Sequence, residues 1–426
     1  MFPLSSARGT AHQVEVWLFA LLLFFLPILE APKNIFWLLW LLAWVFNRAR
    51  SGDWGGRFDY WDALILAWIA SGYVVAAFAG FHKSEWGAPA DLVRNGLVVL
   101  ALRRAGYGER EWKLFMAMLM AGVGIGLVVA WHVFFIQARR MYFELHSVGH
   151  VNHTAIYLAI LFGAAIGAQC AYGRRMGNPW RMLLLLSTIL IGAAVIITES
   201  RGIVVVAAAL AVGLGIAFWP RTRLPLAVLG AVVAVTIITA FAARIEVVQK
   251  IEKRFEENYV LSSRDAMWNT ALEGWRHYPV FGVGMDNMHM LTKDRLQAWA
   301  REEGREFDVK RYAYTPHAHN LYINTLVERG VFGLAVLLAL LGAWAWDLLR
   351  LRPRASDPDV AWATWAGAAS GWFVSVSSGL FNTSLHHEHA MLSLALLGFW
   401  LGWRRAPAPA AADASVPRPV PAPPGA

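Results

Sequence analysis

Apolar runs of membrane-crossing length recur along almost the whole chain, and nothing else in the sequence limits its fold so tightly. A transmembrane helix needs about 20 mostly apolar residues, with a range of about 17–25. Twelve candidate spans lie near 16–30, 34–46, 62–80, 88–102, 113–136, 152–171, 181–198, 201–219, 223–243, 320–349, 360–381 and 389–403. Composition agrees: apolar residues make up 58% and charged residues 16%, where a soluble domain carries about 25% charged. The 22 Trp and 23 Phe are more than a soluble surface could hide. The expected class is all-α and polytopic, which excludes a soluble enzyme or a single-anchor receptor. The first span is followed by Pro27 to Pro32 and then at once by more apolar sequence. It therefore reads as one arm of a hairpin and not as a cleaved leader.

The basic residues assign the sides. With the first residues inside, the short inside connections carry nineteen Lys and Arg, and the short outside ones carry six. Every inside connection is basic, as the positive-inside rule expects. Twelve spans with both termini cytoplasmic follow. The net charge of +9 belongs to this bias and needs no nucleic-acid partner. Cys170, the single cysteine, excludes an intramolecular disulfide and a Cys-rich metal site.

The expected organisation is nine spans over 1–243, a large outer loop over 244–318, three spans over 319–405, and a disordered Pro/Ala-rich tail over 406–426. In the loop, Met267, Trp268, Ala271, Leu272 and Trp275 predict one apolar helix face. Ser262 or Ser263 would start that helix and Pro279 would end it.

Eleven of the thirteen histidines fall in or beside outer segments, so chemistry is expected at the outer face. Three constellations stand out there. Thr198-Glu199-Ser200-Arg201-Gly202 is a tight turn between two apolar helices, where charge is costly unless partnered or functional. Arg201 at a helix start could grip phosphate through its fork and the neighbouring N–H groups; the plain alternative is an Arg201–Glu199 pair closing the turn. Arg264, at the start of the loop helix, repeats the arrangement. Finally, His317-Ala318-His319-Asn320 leads into Asn324 and Glu328. Asn320, Asn324 and Glu328 recur every four residues, which gives one polar stripe facing the protein interior or a wet cavity. His319 stands at its head, where a neutral imidazole can act as general base.

Two other patterns carry less. His386-His387-Glu388-His389 resembles a metal cluster, but neighbouring histidines rarely share an ion, and no outer Asp-X-Asp pair is present. Neither metal nor cofactor is expected. Gly282-Val283-Gly284 lacks the strand, helix and Gly-Lys-Ser/Thr of a phosphate loop.

Together, Arg201-Gly202, Ser262-Ser263-Arg264-Asp265-X-X-Trp268, Phe281-Gly282-X-Gly284 and His317-X-His319-Asn320 through Glu328-X-Gly330-X-X-Gly333 resemble the O-antigen ligase family. The likeness runs from the first span to the twelfth. It implies a membrane glycosyltransferase of GT-C-like fold, metal-independent and inverting, in the bacterial inner membrane with its active site facing the periplasm. The implied donor is undecaprenyl-pyrophosphate-linked O-antigen, and the implied acceptor is lipid A–core in lipopolysaccharide biosynthesis. O-antigen polymerases and protein O-oligosaccharyltransferases share these motifs. On that reading His319 is the base and Arg201 and Arg264 are catalytic cations. Arg139, Arg140, His317, Asn320, Glu199 and Glu328 are candidates for contacting or orienting substrate. A transporter is the competing class. It would favour internal repeats and mid-membrane polar sites, whereas this chain shows no repeat and concentrates its polar positions at one face.

Overall fold

The computed structural model describes residues 9–82, 86–137, 142–219, 227, 230 and 264–405. Among them are thirteen α-helices and no strand. The first eight are α1 (Thr10–Phe25), α2 (Glu30–Ser51), α3 (Tyr60–Phe78), α4 (Ala90–Arg104), α5 (Glu109–Trp131), α6 (Val151–Tyr172), α7 (Asn178–Ile197) and α8 (Arg201–Phe218). Then come α9 (Arg264–His277), α10 (Lys293–Glu302), α11 (Leu321–Arg350), α12 (Asp359–Ser378) and α13 (His387–Arg405).

Eleven of the twelve expected spans coincide with helices; the one near 223–243, apart from Ala227 and Gly230, and the tail from 406 fall outside the described residues. Six helices are long and apolar enough to cross a bilayer by those measures alone: α3, α5 with its π-helical extension to Ile136, α6, α7, α8 and α11. The molecule is a membrane protein.

α6 is the central post. It is buried along nearly its whole length and packs against α12, α7, α8 and α13. Gly163 and Gly167 face Ser370 and Ala366 of α12, the small-residue packing that lets helix backbones approach closely. Large side chains fill the remaining space, with Trp40, Tyr157, Trp344 and Trp400 almost wholly buried.

The segments assigned inside converge at one end. Arg104 donates to Trp54 O, Arg405 to Arg57 O, Arg404 to Leu351 O and Arg352 to Ala217 O. Asp62 pairs with both Arg103 and Arg104. Segments assigned outside meet elsewhere: Gly80 N donates to Gly282 O, and Ser200 Oγ lies 3.0 Å from Asn152 Oδ1. There too, the buried Lys33 of α2 pairs with the buried Glu388 of α13 and donates to Ser147 Oγ at 3.3 Å.

Residues 264–318 build a small cap with its own core: Ala271, Val283, Met288, Leu291, Leu296 and Ala318 pack with Phe81 and Val327. One sequence expectation needs correction. Leu272 is exposed, whereas Ala271 is buried as expected and Trp268 packs against the cap core, with Thr270, Glu273 and Gly274 also buried. Leu291 and Val327 press directly against Gly274, which leaves no room there for a larger side chain. The expected start at Ser262 or Ser263 falls outside the described residues.

Candidate active site

The site rests on a broken helix. α11 is interrupted at Gly330, whose backbone (φ 62°, ψ −169°) is left-handed and non-helical. Residues 279–284 run alongside the break. Val283 N and Gly284 N donate to Val327 O and Glu328 O at 2.8 and 3.0 Å, while Val331 N and Phe332 N donate to Pro279 O and Val280 O. A Cβ on Gly330 would lie 2.1 Å from Val280 O, and one on Gly282 would lie 2.5 Å from Val327 O. The two glycine motifs are thus two halves of one backbone contact, which satisfies the carbonyls that the broken helix leaves open. Gly330→Ala forces a left-handed residue, costing about 1–3 kcal/mol, into an occupied space. The variant should unfold several degrees lower in detergent; an unchanged thermal transition would show that the break is not needed.

The break fixes the polar stripe. Asn320, Asn324 and Glu328 are 7%, 7% and 8% exposed, so the stripe does face the interior. Asn320 caps α11, accepting from the amides of Tyr322 and Ile323, and donates to Leu380 O at 2.8 Å. Asn324 Oδ1 accepts from Ala318 N at 3.0 Å. The Glu328 carboxylate faces the Asp286 backbone amide and the Asn324 side chain.

Ala318 is therefore clamped: its N–H is held by Asn324, and its carbonyl accepts from Trp268 Nε1 at 3.0 Å. The histidines on either side are presented by this clamp, with ring centroids 6.4 Å apart and planes nearly perpendicular. His319 sits at φ 46°, in left-handed space. Both rings are partly buried, and burial lowers both pKa values. For His319, the nearby His317, Arg264 and His150 lower it further; for His317, Asp286 works the other way.

The largest departure from the sequence reading lies here. Five more histidines converge on this pair. His386 stands 6.2 Å from His317 and 3.8 Å from His387, centroid to centroid. His153, at the start of α6, lies 4.9 Å from His387, 5.2 Å from His389 and 6.0 Å from His150. Seven rings from three separate segments thus form one cage, graded from exposed His150 to His389, which is 0% exposed. The only advance signal was the gathering of histidines in outer segments. The cage's ring nitrogens do not converge as a ligand set. Among the described residues the one converging triad is Glu273, His277 and Glu303 in the cap, and Arg305 already bridges its two carboxylates.

The two arginines each stand at the start of a helix. Arg264 is partly buried at the start of α9, beside His319. Arg201 is exposed at the start of α8. Its turn is held by Ser200 on Asn152, the neighbour of His153, and by Gly202 against Phe381. Among the described residues no ion pair joins Arg201 to Glu199, which occupies left-handed space at φ 57°. Arg139 and Arg140 fall outside the described residues.

Residues 186–338 match the family model described as O-Antigen ligase. The chain carries an O-antigen ligase domain. That domain spans Arg201, Arg264, both clamped histidines, the polar stripe and the break at Gly330, but neither α6 nor the histidines of 386–389. The match supports an O-antigen ligase or polymerase type of function in lipopolysaccharide biosynthesis. No curated protein matches the chain.

Proposed function

We propose that this O-antigen ligase domain transfers O-antigen from undecaprenyl pyrophosphate to lipid A–core in a single inverting displacement, at the periplasmic face of the bacterial inner membrane. The observation that carries the reading is His319, clamped beside Arg264 and kept neutral by burial. The acceptor hydroxyl oxygen forms a bond to the anomeric carbon while its proton passes to the His319 ring. The bond from that carbon to the pyrophosphate oxygen breaks, and its electron pair leaves with the pyrophosphate. Arg201 and Arg264 stabilise the charge that builds there, and Arg139 and Arg140 add to it. Asn320, Asn324 and Glu328 position His317 and His319, and Glu199 holds the Arg201 turn. The domain order of nine spans, cap, three spans and tail belongs to the same reading, as do the cytoplasmic termini. The gathering of the basic connections at one end supports that orientation.

Incubating purified protein with lipid-linked glycan and either lipid A–core or a pilin-type protein tests the proposal. Labelled lipid A–core is the expected product. A modified pilin or only a lengthened donor would replace this acceptor with protein or growing glycan.

Because the charge work falls to arginines, EDTA should leave transfer unchanged. Activity that is lost in EDTA and regained with one divalent ion would refute this assignment.

A further inference from the structure

The cage holds more imidazole than a single base requires. We infer that His153, His386 and His387 form a proton-loading site for the donor's pyrophosphate, neutral when empty and taking up about one proton as the diphosphate enters. This rests on the reading above that the donor carries a pyrophosphate.

Three observations support it. First, the rings crowd one another: His386 and His387 are 3.8 Å apart, and His153 and His387 are 4.9 Å apart. Imidazolium charges at such spacing repel strongly in a partly buried site, so the empty cage holds few protons. His389 behind them is wholly buried, with the Thr383 backbone beside its ring.

Second, among the described residues the carboxylates near the cage are already engaged, that of Glu144 by the Val151 amide at 3.0 Å. The carboxylate of Glu388 is taken by Lys33, and that of Asp91 lies 3.2 Å from the Arg94 guanidinium. Asp286 acts on His317 and His386, while Arg94 opposes it at His386. A diphosphate entering beside the rings adds negative charge, which favours their protonated form.

Third, the backbone holds the rings in place at some cost. Leu385 and His387 occupy left-handed space at φ 55° and 50°, a conformation retained only where the surroundings enforce it. Burial, then His317, Arg264 and His150, lowers the His319 pKa, so the cage divides into a base that stays unprotonated and rings that can load.

The test uses the full chain in detergent and a short-chain prenyl-pyrophosphoryl sugar, whose diester-like phosphates do not titrate near neutrality. Calorimetry in two buffers of different ionisation heat counts the protons. Affinity should rise about tenfold per pH unit as pH falls from about 8 to about 6, with about one proton taken up. The double variant His386→Asn/His387→Asn should lose both the uptake and the slope, yet still bind near pH 8 through its arginines. Wild-type binding without proton uptake would overturn the inference and leave the pyrophosphate donor standing. A double variant that keeps the full slope would overturn it equally. Absence of binding at either pH would overturn both this inference and the donor assignment.

Discussion

Arg201→Ala and Arg264→Ala should each slow glycan transfer by about 10²–10³, the loss of about 3–4 kcal/mol of charge stabilisation in the transition state. Among the described residues neither arginine makes an ion pair, so truncation removes no such contact there. Both variants should insert and melt like the wild type, which separates a catalytic loss from misfolding. Lysine should restore little at either position, because a point charge cannot reproduce the two-pronged grip of guanidinium on phosphate. The measurement is turnover of lipid-linked glycan at saturating acceptor. An alanine variant within a few-fold of wild type would remove that arginine from the site.

His319→Ala should be nearly inactive, since a positioned base contributes about 10²–10⁴ in rate. His317→Ala should be less impaired. The pH dependence follows from the direction of the shift. Burial, followed by His317, Arg264 and His150, lowers the His319 pKa. The neutral, base-competent ring therefore persists below the ordinary value of about 6.5. In the His386→Asn/His387→Asn background, where the cage does not load protons, the kcat/KM profile, which reports the unliganded protein, should fall on its acid side at a pH below that value, and any activity left on adding His319→Ala should lack this limb. If kcat/KM in that background instead rises as pH drops, the protonated ring is the working form and His319 contacts phosphate. A fully active alanine variant would discard both roles.

The helical frame was legible because a twenty-residue apolar run is a local property that tertiary context rarely overrules. Even the short runs near 34–46 and 88–102 form α2 and α4, extended at their ends by residues such as Arg48 and Arg103 that reach partners at the bundle's rim. The inward face of the Asn320, Asn324 and Glu328 stripe was legible for the same reason: four-residue spacing fixes a helix face. The break at Gly330 was not. Its partner is backbone from about fifty residues earlier, and a backbone-to-backbone contact leaves only a pair of glycines as its trace. Nor was the histidine cage. His386 and His387 looked unpromising beside each other, and their neighbours His153 and His317 come from segments that no sequence spacing relates.

The buried Lys33–Glu388 pair bears on how the molecule is made. Its members lie 355 residues apart, so the lysine enters the bilayer long before its carboxylate has been synthesised. A buried charge left without its partner costs several kcal/mol, and nascent α2 carries that burden, eased by Glu30 at 3.3 Å and later by Asp91 and Ser147. When α13 inserts, it brings Glu388 to the lysine and His386, His387 and His389 to their places in the same movement. Closure of the bundle and completion of the histidine cage are therefore one event, and on the function proposed above a partly synthesised chain has no finished site with which to act on lipid-linked glycans.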